Sequence, residues 1–178
     1  GYELINAAMA WFEETKVEDS HPWFRKFNAY YMPAEKPPDE LEIAQNIRLS
    51  GVEKQKLGLY NEAEGLFEEA HGILADCLGP ILSLTHPDMG IILLSMANNS
   101  RIQGRFKISK QWFLESMLIF RKQNGEYEAG VADSQYGLGL LLFVQGYYDT
   151  AVSMHEQCLA TRLELFHTDH REVALARC

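Results

Sequence analysis

Between Leu57 and Leu74 the chain reads LGLYNEAEGLFEEAHGIL, and its small and large apolar residues fall three and four apart with glutamates between them. Ala63, Phe67 and Ala70 therefore share one helical face, while the carboxylates take the other. The same order returns twice, in GRFKISKQWFLESMLIF from Gly104 and GYYDTAVSMHEQCLATRL from Gly146. Counted from Gly58, Gly104 and Gly146, an aromatic lies two residues on. Ala63, Ser109 and Ala151 follow at five, Phe67, Phe113 and His155 at nine, and Ala70, Ser116 and Cys158 at twelve. Upstream, Gly51, Ala97 and Gly139 each lie seven residues before the marker glycine. Small residues on two successive helices mark the point where their axes approach to ~8–10 Å, and the aromatics fill the layer beside it.

The marker glycines are 46 and 42 residues apart, and removing Ile81–Leu84 (ILSL) would make both spacings equal. Two helices per unit at such a period predict an all-α solenoid of antiparallel hairpins, in which no unit buries its apolar face alone. Helices are predicted at 39–57, 61–77, 86–103, 106–123, 127–145 and 149–166, with a seventh beginning near His170. Thr85 with Asp88, Asn61 with Glu64, Asp39 with Glu42 and Asp169 with Glu172 have capping-box spacing. Pro37, Pro38 and Pro87 stand at or just before helix starts, where a missing N–H costs least. The apolar ILSL insertion is expected to fold onto the neighbouring unit rather than meet another chain. Residues 1–38 form a separate region, either a degenerate repeat or a packed linker. Within it Leu4, Ala7, Ala8, Trp11 and Phe12 share one side of an amphipathic stretch, and His21-Pro22 echoes His86-Pro87.

Gly51, Gly58, Tyr60, Ala63, Phe67 and Ala70 together resemble a tetratricopeptide repeat. The run Glu62 to Ala70, then Leu78-Gly79-Pro80 and His86-Pro87-Asp88-Met89, is similar to the 42-residue repeats of the kinesin light chain type. The resemblance covers 39–178, about three repeats plus the start of a fourth. It is fullest in the first unit: Ser109 and Ser116 replace alanines, His155 replaces the aromatic, and Glu128 stands where His-Pro would begin. In such families the first helix of each unit lines a concave groove. The resemblance places Gln45, Arg48, Val52 and Gln55 there in the first unit, Ile91, Leu94, Asn98 and Arg101 in the second, and Asp133, Tyr136, Leu140 and Phe143 in the third. The partner-binding set expected is Gln45, Arg48, Gln55, Asn98, Arg101, Tyr136 and Phe143. Val52, Ser95, Asp133 and Gly137 stand where some members use Lys, Asn and Arg to grip a C-terminal carboxylate, so that specificity is not expected.

Composition narrows the function. The 178 residues are 47% hydrophobic and 23% charged, enough to fold, with a formal net charge of -9 that repels a phosphate backbone. The longest apolar runs, Ile91–Leu94 and Leu138–Val144, fall far short of the ~20 residues of a membrane span. Neither nucleic acid nor membrane is the expected partner. Cys77, Cys158 and Cys178 are odd in number and scattered, which points to a reducing interior rather than a disulfide framework. A start at Gly1 and an end soon after a new helical segment suggest a piece of a longer protein.

Candidates for chemistry are sparse. His167 and His170 are three apart without a third ligand, so no metal is expected. His155 reads as a filler on an inner face, Cys158 as core, and Gly137 with Gly139 lack the third glycine of a dinucleotide loop. Asn98-Asn99-Ser100 is formally a glycosylation sequon but falls within a helix. The reading is thus a non-catalytic, cofactor-free scaffold that docks a peptide or protein surface, cytoplasmic and within a multi-protein complex. The alternatives are a structural subunit of a cytoskeletal or ciliary assembly and a peptide-sensing regulatory domain.

Overall fold

The computed structural model describes residues 38–123, 125 and 127–165. The readings for Tyr2–Lys16, His21-Pro22, His167 with His170, Asp169 with Glu172, the seventh helix and Cys178 lie outside those residues. Six helices follow one another: α1 (Pro38–Lys56), α2 (Tyr60–Leu82), α3 (Pro87–Ile102), α4 (Phe106–Arg121), α5 (Glu128–Val144) and α6 (Tyr148–Leu165). No strand occurs among the described residues. Each odd helix pairs with the even helix after it, α2 packs on α3 and α4 on α5, and α1, α3 and α5 touch in series. This is an α-solenoid of three hairpins with the odd helices forming one layer.

The tight turns of the hairpins come from the marker glycines. Gly58, Gly104 and Gly146 take φ of 78°, 76° and 83°, a left-handed conformation that costs glycine little. Each lets the next N–H reach back five residues: Leu59 to the Lys54 carbonyl, Arg105 to Ser100 and Tyr147 to Leu142, at 3.0, 2.9 and 3.0 Å. These are Schellman closures, which satisfy the helix end and reverse the chain at once.

Helix starts differ from the capping-box expectation. The residue before α2 is Leu59 and the one before α4 is Arg105, and neither contributes a side-chain cap. A turn that closes on Gly58 reaches the helix at Tyr60, so Asn61 is already inside it. Asp39 likewise lies within α1. Before α3 the cap is His86, whose Nδ1 accepts from the Asp88 N–H at 3.3 Å, while the Thr85 hydroxyl donates back to the Leu82 carbonyl. Pro87 does occupy the first turn of α3.

The notches work as the spacing requires. A Cβ on Gly51 would come within 2.6 Å of the Phe67 ring, and one on Gly139 within 2.7 Å of the His155 ring. Phe67, Ala63 and Ala70 have no exposed surface. Burying such a phenylalanine stabilises the fold by about 1.5–3 kcal/mol. In the middle hairpin Ala97 carries the Cβ that Gly51 and Gly139 lack. Phe113 packs with Ala97 and lies so close to Gly137 of α5 that any side chain there would collide with its ring. Phe120 is wedged between Gly90 of its own hairpin and Gly130 of the next. The two serines replacing alanine are equally enclosed, and their hydroxyls donate to facing backbone: Ser109 to the Ala97 carbonyl and Ser116 to the Gly90 carbonyl, both at 2.8 Å.

The ILSL insertion lengthens α2. Gly79 adopts φ 73° and ψ 176°, breaking the helix, and the chain resumes helical geometry through Pro80 to Leu82. Ile81 is half-buried, but Leu82 and Leu84 remain 41% and 60% exposed. The expected folding of this segment onto its neighbour is therefore not what the two leucines do. The Gln123 amide holds the following loop by donating to the Thr85 carbonyl at 2.5 Å.

Candidate functional site: the face of the odd helices

Residues picked by repeat register gather mainly on α1 and α3. A cleft of about 200 Å³ is lined by Leu41, Ala44, Gln45 and Arg48 of α1, Asp88, Ile91 and Ile92 of α3, and Leu74 from below. Gln45, Arg48 and Ile91 are thus brought together. The Gln45 amide donates to Asp88 Oδ2 at 3.1 Å, which fixes the acid at the rim. Burial lowers the Arg48 pKa from its ordinary value, and the field of Asp88 pulls it back up. At this depth the guanidinium stays charged, with a desolvated fork of donors beside an apolar floor.

A second group forms where α3 meets α5. Arg101 is half-buried, its Nε has no hydrogen-bond partner among the described residues, and burial lowers its pKa while Tyr136 raises it. Tyr136 is also held from α6. Arg162 sits 5.5 Å from the ring centroid and the His155 ring meets its edge at 5.3 Å. Arg162 in turn pairs with Asp133 at 2.7 Å. One face of Tyr136 is accordingly occupied by the protein itself, so less of the ring is open than the register implied. His155 is half-buried with its pKa lowered by burial, as expected of a packing residue.

Other register residues turn elsewhere. Gln55 donates to Asn99 Oδ1 at 3.4 Å, Asn98 to the Leu94 carbonyl of its own helix, and Phe143 packs edge-on with Tyr148, both rings being exposed. Asn99, noticed in the sequence only as part of a sequon, is 1% exposed and joins two units by donating to the Tyr60 carbonyl at 2.9 Å. Gln103 donates to the same carbonyl, and Arg105 pairs with Glu64 nearby. A buried Asn in the last turns of a first helix was the available signal, since only a specific acceptor repays its desolvation. No group of three or more His, Cys, Asp or Glu among the described residues could hold a metal ion. Cys77 and Cys158 are buried, with no disulfide between them.

With this geometry in place, the match of residues 88–175 to the family model of the tetratricopeptide repeat is decisive. Residues 88–175 belong to the tetratricopeptide-repeat family. Among the solved structures that match, BtubC (BKLC) from P. vanneervenii superposes with a TM-score of 0.66 at 22% sequence identity over 84% of this chain and 57% of that one. At this identity the match carries the fold alone. This chain spans little more than half of that protein's length. No curated protein matches the chain. Tetratricopeptide repeats commonly serve as non-catalytic interaction scaffolds.

Proposed function

We propose that the tetratricopeptide array docks an extended peptide or a partner helix on the odd-helix face, with an acidic group of the ligand at Arg48 and Arg101 and an apolar side chain in the cleft between α1 and α3. The observation that carries this reading is the cleft itself, where a half-buried guanidinium stands against Leu41, Ala44, Ile91 and Ile92. A cation already stripped of much of its water needs little further desolvation to pair with a carboxylate. The rigid hairpins hold these groups in place before binding, so ordering entropy is met in folding rather than at association. The protein acts in this reading as a scaffold without chemistry of its own, within a larger cytoplasmic complex. No described helix is long and apolar enough to cross a membrane. The test is a pull-down with the intact protein beside the Arg48→Glu plus Tyr136→Ala double variant. Loss of specific partners in the variant is expected, and partners retained in full would retire the groove.

A further inference from the structure

The outer ridges of the even helices differ in a way the groove does not explain. Repeat-equivalent exposed positions along α2 read Asn61, Gly65, Glu68 and Gly72, and along α6 Asp149, Ser153, Glu156 and Ala160. Along α4 they read Lys107, Gln111, Leu114 and Leu118, with Lys110 and Arg121 exposed alongside. Two ridges are acidic and built of small residues, as a solvated face would be. The middle one carries a net positive charge, with Glu115 as its exposed acid accepting from the Gln111 amide at 2.9 Å, and has two leucines at its crest, 42% and 56% exposed. Lys107, Lys110 and Arg121 make no ion pair among the described residues. Beyond Gly65 and Gly72 there is open space, with no atom within 4 Å of where a Cβ would stand.

We propose that this face joins two copies of the chain, the leucine and lysine ridge of α4 in each lying against the glutamate and glycine ridge of α2 in the other. The occupant is a second copy because both halves of the complement lie on the same surface of one chain. A two-fold axis running along the helices between α2 and α4 exchanges them and closes the assembly. Such an axis brings repeat-equivalent levels opposite one another. Leu118 then meets the notch at Gly72, Leu114 lies on the methylenes of Glu68, and Lys107 and Lys110 face the first turns of α2, where they compete for Glu62 with Lys54, its partner at 2.7 Å within one chain. Small residues admit close helix approach, the leucines supply the apolar centre, and the flanking charges set register and partner. The odd-helix face remains open, so docking there and self-association here are separable.

Sedimentation velocity of the full chain over a range of concentrations and salt tests this. A monomer–dimer equilibrium weakened by salt is expected, since the flanking pairs are screened. Leu114→Ser plus Leu118→Ser should raise the dimer dissociation constant by about tenfold or more, with an unchanged circular dichroism spectrum. Lys107→Glu plus Lys110→Glu should also dissociate the dimer, and adding Glu62→Lys with Glu68→Lys to the same chain should restore it. The Arg48→Glu plus Tyr136→Ala variant should dimerise as the wild type does. A wild type that stays monomeric throughout, including one whose α4 ridge captures an unrelated acidic helix instead, overturns the proposal. A dimer indifferent to both sets of substitutions overturns it as well.

Discussion

The first and middle hairpins solve one packing problem with different residues. In the first, Gly51 leaves a notch and Phe67 fills it, with Ala63 and Ala70 closing the layer on either side. In the middle one Ala97 has a side chain where Gly51 has none, and Phe113 presses instead against Gly137 of the following unit. Serines replace the alanines but donate to the carbonyls that face them. The first crossing is therefore sealed by shape. The second is sealed partly by hydrogen bonds and reaches into its neighbour, so departures from the repeat pattern there are a change of mechanism, with no loss of closeness.

The largest test of that contrast is truncation of the two aromatics. Phe67→Ala and Phe113→Ala should each cost about 3–5 kcal/mol in urea unfolding, because both rings are fully enclosed. Only Phe113→Ala should also lower hydrogen-exchange protection in α5, since its ring lies against that helix. Equal loss of α5 protection in both variants would dissolve the distinction. Gly137→Ala comes next, at about 1–3 kcal/mol for forcing a methyl against an enclosed ring. Its effect should shrink in a Phe113→Leu background, where the ring is gone.

Smaller effects separate hydrogen bonding from shape. Ser116→Ala should cost about 1 kcal/mol, the net worth of the lost bond to the Gly90 carbonyl, with a further contribution from leaving Ser134 without that neighbour. A neutral outcome would mean that the serine only keeps the layer thin. The third crossing, where His155 stands in for the aromatic, adds a dependence on pH. Its folded-state pKa lies below the ordinary 6.5 because burial disfavours the cation. The unfolded chain then binds the proton more readily, so the contribution is intact above that ordinary value and is lost as pH falls through it toward the folded value. The urea midpoint of the wild type should fall on acidification across this window by more than that of His155→Phe, which carries no titrating group there. Parallel curves would remove His155 from the account.

Much of this arrangement was legible in the sequence because the small, large, small order is itself the contact. Gly51, Ala63 and Phe67 could be placed without knowing what surrounds them. What escaped depended on geometry that composition does not encode. Gly79-Pro80 reads as the end of a helix, and only the left-handed glycine shows how the chain turns and becomes helical again. Cap residues were misassigned because a Schellman turn brings the chain into α2 before Asn61 can act. At the site, register found Gln45 and Arg48 since a helix position fixes a face. It could not find Asp88 as their companion or turn Gln55 toward Asn99, because those pairings lie across helices and depend on how the two axes cross.

The interrupted end of α2 has a use that concerns variation rather than stability. Four extra residues entered a solenoid whose hairpins must stay in step, and the break at Gly79 let them project at a corner while the helices on either side kept their partners. Such a corner is an expansion joint. Foreign loops or labels grafted between Pro80 and Leu84 should be carried without disturbing the stack, which makes this the natural place to add a reporter or a new specificity.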